Sequence, residues 1–179
     1  MLFLYGGVSI FTAEDQISNK KPFVPELIAR NQEKVDIEKV IDGDTLIISG
    51  KQYKSEKLRL IGVDTPEVHD QYKMQRDAKR LGMTLSEVRE KGLEASRFVE
   101  NLITLKDPRR FFRLELDTEE RDKYGRLLGY IWLADTMLNE EIIKAGYGTA
   151  MMIPPNSKYY KRFQKLEKKA KADKVGIWK

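Results

Sequence analysis

Five short runs of β-branched and apolar residues, broken by glycine-containing turns, limit what this chain can fold into more than any other feature. Val35, Ile37 and Val40 alternate roughly with charge from about Glu33, the period-two pattern of a half-buried strand. Asp42-Gly43-Asp44 is a turn, in which Gly43 lets the backbone bend tightly. Thr45 to Ser49 is a second strand, and Ser49-Gly50-Lys51 a second turn. Lys57 to Val63 predicts a third strand, with Leu58, Leu60 and Gly62 on one face and Arg59 and Ile61 on the other. Arg110 to Leu116 and Leu127 to Leu133 predict a fourth and a fifth, joined by a polar connection from Asp117 to Gly125.

A helical interval separates the third strand from the fourth. Thr84-Leu85-Ser86-Glu87 has the form of a capping box. Leu85, Val88, Ala95, Phe98 or Val99, and Leu102 then recur at helical spacing, which predicts a helix over Leu85–Leu102. Gly92 is its weak point, costing about 1 kcal/mol. Met137 to Ala145 predicts a short helix closed by Gly146 as the C′ glycine. Pro154-Pro155-Asn156-Ser157 opens a last helix, with Tyr159, Phe163, Leu166 and Ala170 as its inner stripe and lysines on its solvated faces. Five strands, with about three helices in all, define an α+β, mainly β chain. The pattern matches the OB-fold, a five-stranded Greek-key barrel.

That barrel is expected over residues 33–179, with residues 1–32 as a leader and linker. Leu2 to Phe11 is apolar and of signal-peptide length, but it lacks a basic n-region. It reads as a signal remnant or as an ordinary N-terminal strand. The first alternative places the protein outside the cell or in its envelope. No stretch is long enough to span a membrane, so stable membrane insertion is not expected. The chain has no cysteine, which excludes disulfides and thiolate metal sites. Its net charge of +5 agrees with a polyanionic partner, and equally with a solvated lysine-rich surface. Abundant Lys and Glu without Cys also suit a thermophile.

Chemistry concentrates in three clusters: Asp42-Gly43-Asp44-Thr45, Arg59 to Glu67, and Asp122 to Arg126. If the first three strands pair as neighbours, Asp44 and Asp64 converge on one rim of the barrel. Hard oxygen ligands suit Ca²⁺ or Mg²⁺, whereas no Cys and a single His argue against Zn²⁺. Taken alone, Asp-Gly-Asp-Thr is only a turn leading into a strand. Glu67 lies three residues beyond Asp64, with Pro66 stiffening the step. It is placed to act as a base, or is a plain first-turn acid. Arg59 and Arg126 can each grip phosphate oxygens bidentately, or form internal salt bridges. Arg59 lies mid-strand in an apolar run, so it needs an anion or an open face.

Taken in order, these clusters resemble the staphylococcal nuclease (thermonuclease) family. The resemblance runs from about Val35 to Trp178. It is carried by Asp42-Gly43-Asp44-Thr45, by Arg59-Leu60-Ile61-Gly62-Val63-Asp64-Thr65-Pro66-Glu67, and by Asp122-Lys123-Tyr124-Gly125-Arg126. Tyr130-Ile131, Asn139-Glu140 and the closing Gly176-Ile177-Trp178 add to it. It implies an OB-fold and a Ca²⁺-dependent nuclease acting on DNA and RNA, with single-stranded or unpaired regions preferred, 3′-phosphate products, and a monomer. It implies roles as well. Asp44, Asp64 and the Thr65 carbonyl match the calcium ligands, and Glu67 the general base. Arg59 and Arg126 match the phosphate-binding pair, and Lys123 and Tyr124 the residues near the terminal phosphate. Asp42 matches a residue that supports the ligands.

The chain departs from that pattern in two places. Val68 to Lys91, rich in charge and amide, is longer than the usual loop after the catalytic glutamate, and an extra helical piece beside the site is expected there. Ala150-Met151-Met152-Ile153 stands where nucleotide-stacking tyrosines are usual, leaving Met152 as a weaker packing surface for a base. His69 is expected to be an ordinary loop residue. Two rivals remain: a catalytically silent member of the same fold, and a plain single-strand-binding OB module. Neither would need all of Asp44, Asp64 and Glu67.

Overall fold

The structure, a computed structural model, describes residues 32–106 and 112–179. Residues 1–31 of the expected leader, and the expected strand start at Arg110, lie outside the described residues, while Gln32 begins the first strand. Strands β1 (Gln32–Asp42), β2 (Thr45–Gly50) and β3 (Glu56–Leu60) form an antiparallel meander. Strands β5 (Phe112–Glu115) and β6 (Leu127–Leu133) continue the sheet on the other side of β1. β3 pairs parallel to β6 through Leu58–Leu127 to Leu60–Gly129, and this closes the five-stranded barrel. β1 serves both sides because its register against β2 shifts twice, between Ile37 and Lys39 and between Val40 and Asp42. Irregularities of this kind bend a strand and raise its twist, as a closed barrel requires. The barrel is filled by Leu46, Ile48, Leu58, Leu60, Phe112, Leu114 and Ile131, all nearly inaccessible.

The third strand is shorter than expected. Ile61-Gly62 turns the chain, with Gly62 at φ +80°, and Val63–Asp64 becomes a separate strand, β4. β4 pairs antiparallel with β8 (Thr149–Ala150). The turn was hidden because every residue from Leu58 to Thr65 is buried, so no alternation of exposure marks the break. It also takes Asp64 off the barrel sheet and onto the rim.

Four α-helices are described: the three whose bounds were expected, and α1 (Gln71–Leu81), the extra helical piece expected in the long polar segment after Glu67. The Asp70 carboxylate caps it, accepting from the Lys73 N–H at 3.0 Å, and Gly82 ends it in the left-handed conformation. The next helix, α2 (Leu85–Lys106), begins at the expected residue and runs one turn further. Val88, Ala95, Val99 and Leu102 form its buried stripe, but Leu85 is 41% exposed and is not part of it. The capping box is present: the Thr84 hydroxyl accepts from the Glu87 N–H at 3.2 Å, and the Glu87 carboxylate accepts from the Thr84 N–H at 2.7 Å. Thr84→Ala is expected to cost about 1 kcal/mol of stability, measurable as a shift in the urea midpoint.

β7 (Thr136–Met137) extends the sheet and leads into α3 (Leu138–Lys144), so Met137 belongs to a strand and not to the helix. The last helix, α4 (Tyr160–Ala172), buries Phe163 and Ala170, with Tyr159 and Leu166 packed at the edge of the core, as its stripe predicts. A short 3₁₀ turn, Gly176–Trp178, closes the chain. Among the described residues no helix is long and apolar enough to cross a membrane.

Candidate active site

The acids collect where the β1–β2 turn meets the end of β4. Asp44 is 2% exposed, and both of its oxygens are engaged. Oδ2 accepts from the Thr65 N–H at 2.8 Å and Oδ1 lies 3.0 Å from Arg59 Nη1. The Asp42 carboxylate accepts from the Asp44 N–H at 3.0 Å, so it fixes the turn that presents Asp44. Burial, with the Asp44 charge beside it, pushes the Asp42 carboxyl up to about 6. Burial also works against ionised Asp44. Arg59, then Lys73 and the Thr65 N–H, outweigh it and hold Asp44 below the ordinary carboxylate range.

Two small residues allow this convergence. A Cβ on Gly43 would stand 2.8 Å from both Ala95 Cβ and Thr65 Cγ2. A Cβ on Gly92 would stand 2.6 Å from the Pro66 carbonyl oxygen and from Val68 Cγ2. Both are closer than packed atoms tolerate. Gly43 is therefore required for a close approach, and its φ is not among the positive values. Gly92, a weak point by helix propensity, is where α2 lies directly on the segment carrying Glu67.

Arg59 is 5% exposed. Its Nη1 contacts Asp44 Oδ1, and its Nη2 lies 3.6 Å from Asp64 Oδ1. One guanidinium thus bridges the two aspartates, which meets its need for an anion. An internal salt bridge and a phosphate role are compatible here, because Nη2 is only loosely held. Across the cleft, Asp122 organises the other arginine. Its Oδ1 accepts from the Tyr124 and Arg126 N–H groups at 2.9 and 3.0 Å, and its Oδ2 from Arg126 Nε at 2.7 Å. Arg126 Nη2 also lies 2.7 Å from that oxygen, which leaves Nη1 for another acceptor. Tyr124 is 73% exposed, with Lys123 Nζ 5.0 Å and Arg126 Cζ 5.7 Å from its ring centre.

The two oxygens of Glu67 have different partners. Oε1 accepts from the Val68 and His69 N–H groups, both at 2.8 Å, and Oε2 faces Lys73 at 3.4 Å. Burial alone would raise this carboxyl, but the His69 N–H, Lys73 and the Val68 N–H hold it below its usual value. His69 contributes that backbone donor, and its side chain is exposed.

Asp42, Asp44, Arg59, Asp64, Glu67, Lys123, Tyr124 and Arg126 all line one open cleft of about 1370 Å³. Thr65 is buried beneath it, its carbonyl 3.4 Å from Lys73 Nζ. Met151 lines the cleft, whereas Met152, the residue expected to pack on a base, does not.

Helix α1 adds residues that the motifs did not suggest. Lys73 Nζ lies 3.5 Å from Asp64 Oδ1, and Arg80 Nη2 lies 3.0 Å from Asp64 Oδ2. Arg80 also donates to the Thr149 hydroxyl at 2.7 Å and pairs with Asp77 at 2.9 Å. Asp77 is fully buried, and its second oxygen accepts from the Glu67 N–H at 3.2 Å. Lys73, Asp77 and Arg80 are spaced i, i+4, i+7, one face of a helix. That spacing, framed by Asp70 and Gly82, was the available signal.

Among the described residues, no three acidic or histidine side chains converge as a ready-made metal site. The donor set of Asp44, Asp64 and the Thr65 carbonyl is nevertheless all hard oxygen, the chemistry that suits Ca²⁺ or Mg²⁺. The place these oxygens face already attracts positive charge, from Arg59 and Lys73. On that ground the residues fit a hard cation.

A barrel rim that joins two buried aspartates, a glutamate and two arginines defines a class of phosphodiester-directed proteins, and sequence comparison agrees. The staphylococcal nuclease homologue family matches residues 57–179, and the chain belongs to that family. It is 37% identical over 148 residues to the thermonuclease of Staphylococcus hyicus, covering 83% of this chain and 77% of that protein. It is 38% identical over 142 residues to the thermonuclease of Staphylococcus intermedius, covering 79% and 74%. Endonuclease YncB of Bacillus subtilis is 33% identical over 157 residues, covering 84% and 65%. These relatives support a nuclease function.

Proposed function

We propose that this chain is a calcium-dependent, sugar-nonspecific nuclease that hydrolyses DNA and RNA to 3′-phosphate products. The supporting observation is the Arg59 guanidinium bridging Asp44 and Asp64 in the same cleft as Glu67 and Arg126. Asp44, Asp64 and the Thr65 carbonyl would hold the ion. When bound, calcium would offset phosphate charge and help to orient the attacking water.

The remaining work falls to side chains. Arg59 Nη2 and Arg126 Nη1, the guanidinium nitrogens least committed to carboxylates, take the phosphate oxygens and stabilise the charge that builds as phosphorus becomes pentacoordinate. Glu67 Oε2, the oxygen not held by the Val68 and His69 N–H groups, takes the proton from water as its oxygen attacks phosphorus. The P–O5′ bond breaks, the leaving O5′ takes a proton from solvent water to become a 5′-hydroxyl, and the phosphate stays on the 3′ side. Tyr124 and Lys123 lie beside Arg126, where they can contact the neighbouring phosphate. An exposed rim cleft is reached more easily by unpaired strands than by duplex, so single-stranded regions are the preferred substrate. The protein acts as a monomer.

A digestion series tests this. Purified protein with calcium is expected to cleave single-stranded DNA and RNA, to lose that cleavage with excess chelator, and to regain it when calcium is restored. The products should release phosphate on treatment with a 3′-phosphatase. Chelator-insensitive cleavage would remove the metal from the scheme. Tight binding without cleavage would favour a silent binding module.

A further inference from the structure

Helix α1 delivers an ammonium group into the acid cluster. Lys73 Nζ lies 3.5 Å from Asp64 Oδ1, 3.4 Å from the Thr65 carbonyl oxygen and 3.4 Å from Glu67 Oε2. Two of these oxygens belong to residues read as metal donors, and the third to the residue read as the base. The lysine side chain is only 23% exposed. Asp64 is taken up on its other oxygen by Arg80, two helical turns along the same face. The acid cluster is thus neutralised from within the chain, by a segment that lies outside the motifs.

The lengths of these contacts matter. Charge-assisted N–H···O bonds are usually about 2.7–2.9 Å. Lys73 instead sits among three oxygens at longer range, as a point charge held by the field of the cluster. Its long, flexible stem allows it to leave, and it lines the open cleft, which has room to receive it. Arg80, with two partners at 2.9–3.0 Å and a third at 2.7 Å, is the fixed anchor. A divalent ion bound to Asp64 and the Thr65 carbonyl could not share that space with the ammonium, because like charges a few ångströms apart in a partly buried site repel strongly.

We infer that Lys73 is a built-in competitor for the divalent-cation position, so that α1 sets how tightly this site binds metal. The inference rests on reading Asp44, Asp64 and Thr65 as metal donors. Without metal, the ammonium keeps the carboxylates paired and the rim folded. With metal, the ammonium moves into the cleft.

Calorimetric titration with CaCl₂ alone, without nucleic acid, tests this independently of activity. K73M is expected to bind calcium about tenfold more tightly than the wild type, or better, since about 1.4 kcal/mol of relieved repulsion gives that factor. K73Q should behave alike, which guards against a folding fault in one variant, and near-ultraviolet circular dichroism checks both. K73R keeps the charge and should bind no more tightly than the wild type. Equal or weaker calcium affinity in K73M and K73Q would overturn the inference alone, and so would tighter binding by K73R. No calcium binding by any of the four proteins would overturn the metal assignment together with it.

Discussion

Glu67→Gln is expected to lower kcat on single-stranded DNA by about 10²–10⁴, the range that general-base catalysis supplies. The change is close to isosteric. The side-chain carbonyl can still accept from the Val68 and His69 N–H groups that hold Oε1. What is lost is the negative oxygen at Oε2, the one that faces Lys73. Lys73 retains Asp64 and the Thr65 carbonyl as partners, so the rim should keep its shape. Calcium affinity should survive, because Glu67 is not among the proposed ligands. Single-turnover kinetics beside calorimetry separates the two effects. Turnover equal to the wild type would remove Glu67 from the role of base. A loss of calcium binding in parallel with turnover would make it a ligand instead.

The parts of this molecule that advertise themselves by hydrophobic period were legible in the sequence. β1, β2 and β6 stand close to where alternation and glycine turns put them, and the buried stripe of α4 is the one expected. The site acids and arginines were legible because their order along the chain is distinctive, and the structure brings them into one cleft. The Ile61-Gly62 turn escaped, and α1 was expected only as a helical piece within Val68–Lys91, without its bounds or its contacts, for opposite reasons. The Ile61-Gly62 turn lies in a run so thoroughly buried that strand and turn look alike. Helix α1 has the reverse character: its one fully buried side chain is the carboxylate of Asp77. Its apolar residues Met74, Ala78 and Leu81 are only partly buried, so in a segment this polar the helical signal is weak and is framed mainly by the caps at Asp70 and Gly82.

This docking mode gives α1 an energetic weak point at Asp77, and Asp77→Ala is expected to destabilise the protein by about 3 kcal/mol. Each Asp77 oxygen has a partner: Arg80 Nη2 at 2.9 Å on one, and the Glu67 N–H at 3.2 Å on the other. Truncation leaves that backbone donor without an acceptor in a buried position, and leaves a void no water-exposed group can fill. Unmade buried hydrogen bonds and broken buried ion pairs are the costly cases among polar substitutions. In a domain of this size the melting temperature should fall by roughly 6–12 °C. The loss should be uneven as well. Hydrogen exchange across Gln71–Leu81 should quicken more than in the barrel strands, because Asp77 is the one fully buried side chain of α1 and its apolar residues Met74, Ala78 and Leu81 are only partly buried. Asp77→Asn should cost less, since its side-chain oxygen can still accept from the Glu67 N–H while only the charge toward Arg80 is lost. If Asp77→Ala melts with the wild type and its α1 amides exchange no faster, the helix is held by something other than its buried carboxylate.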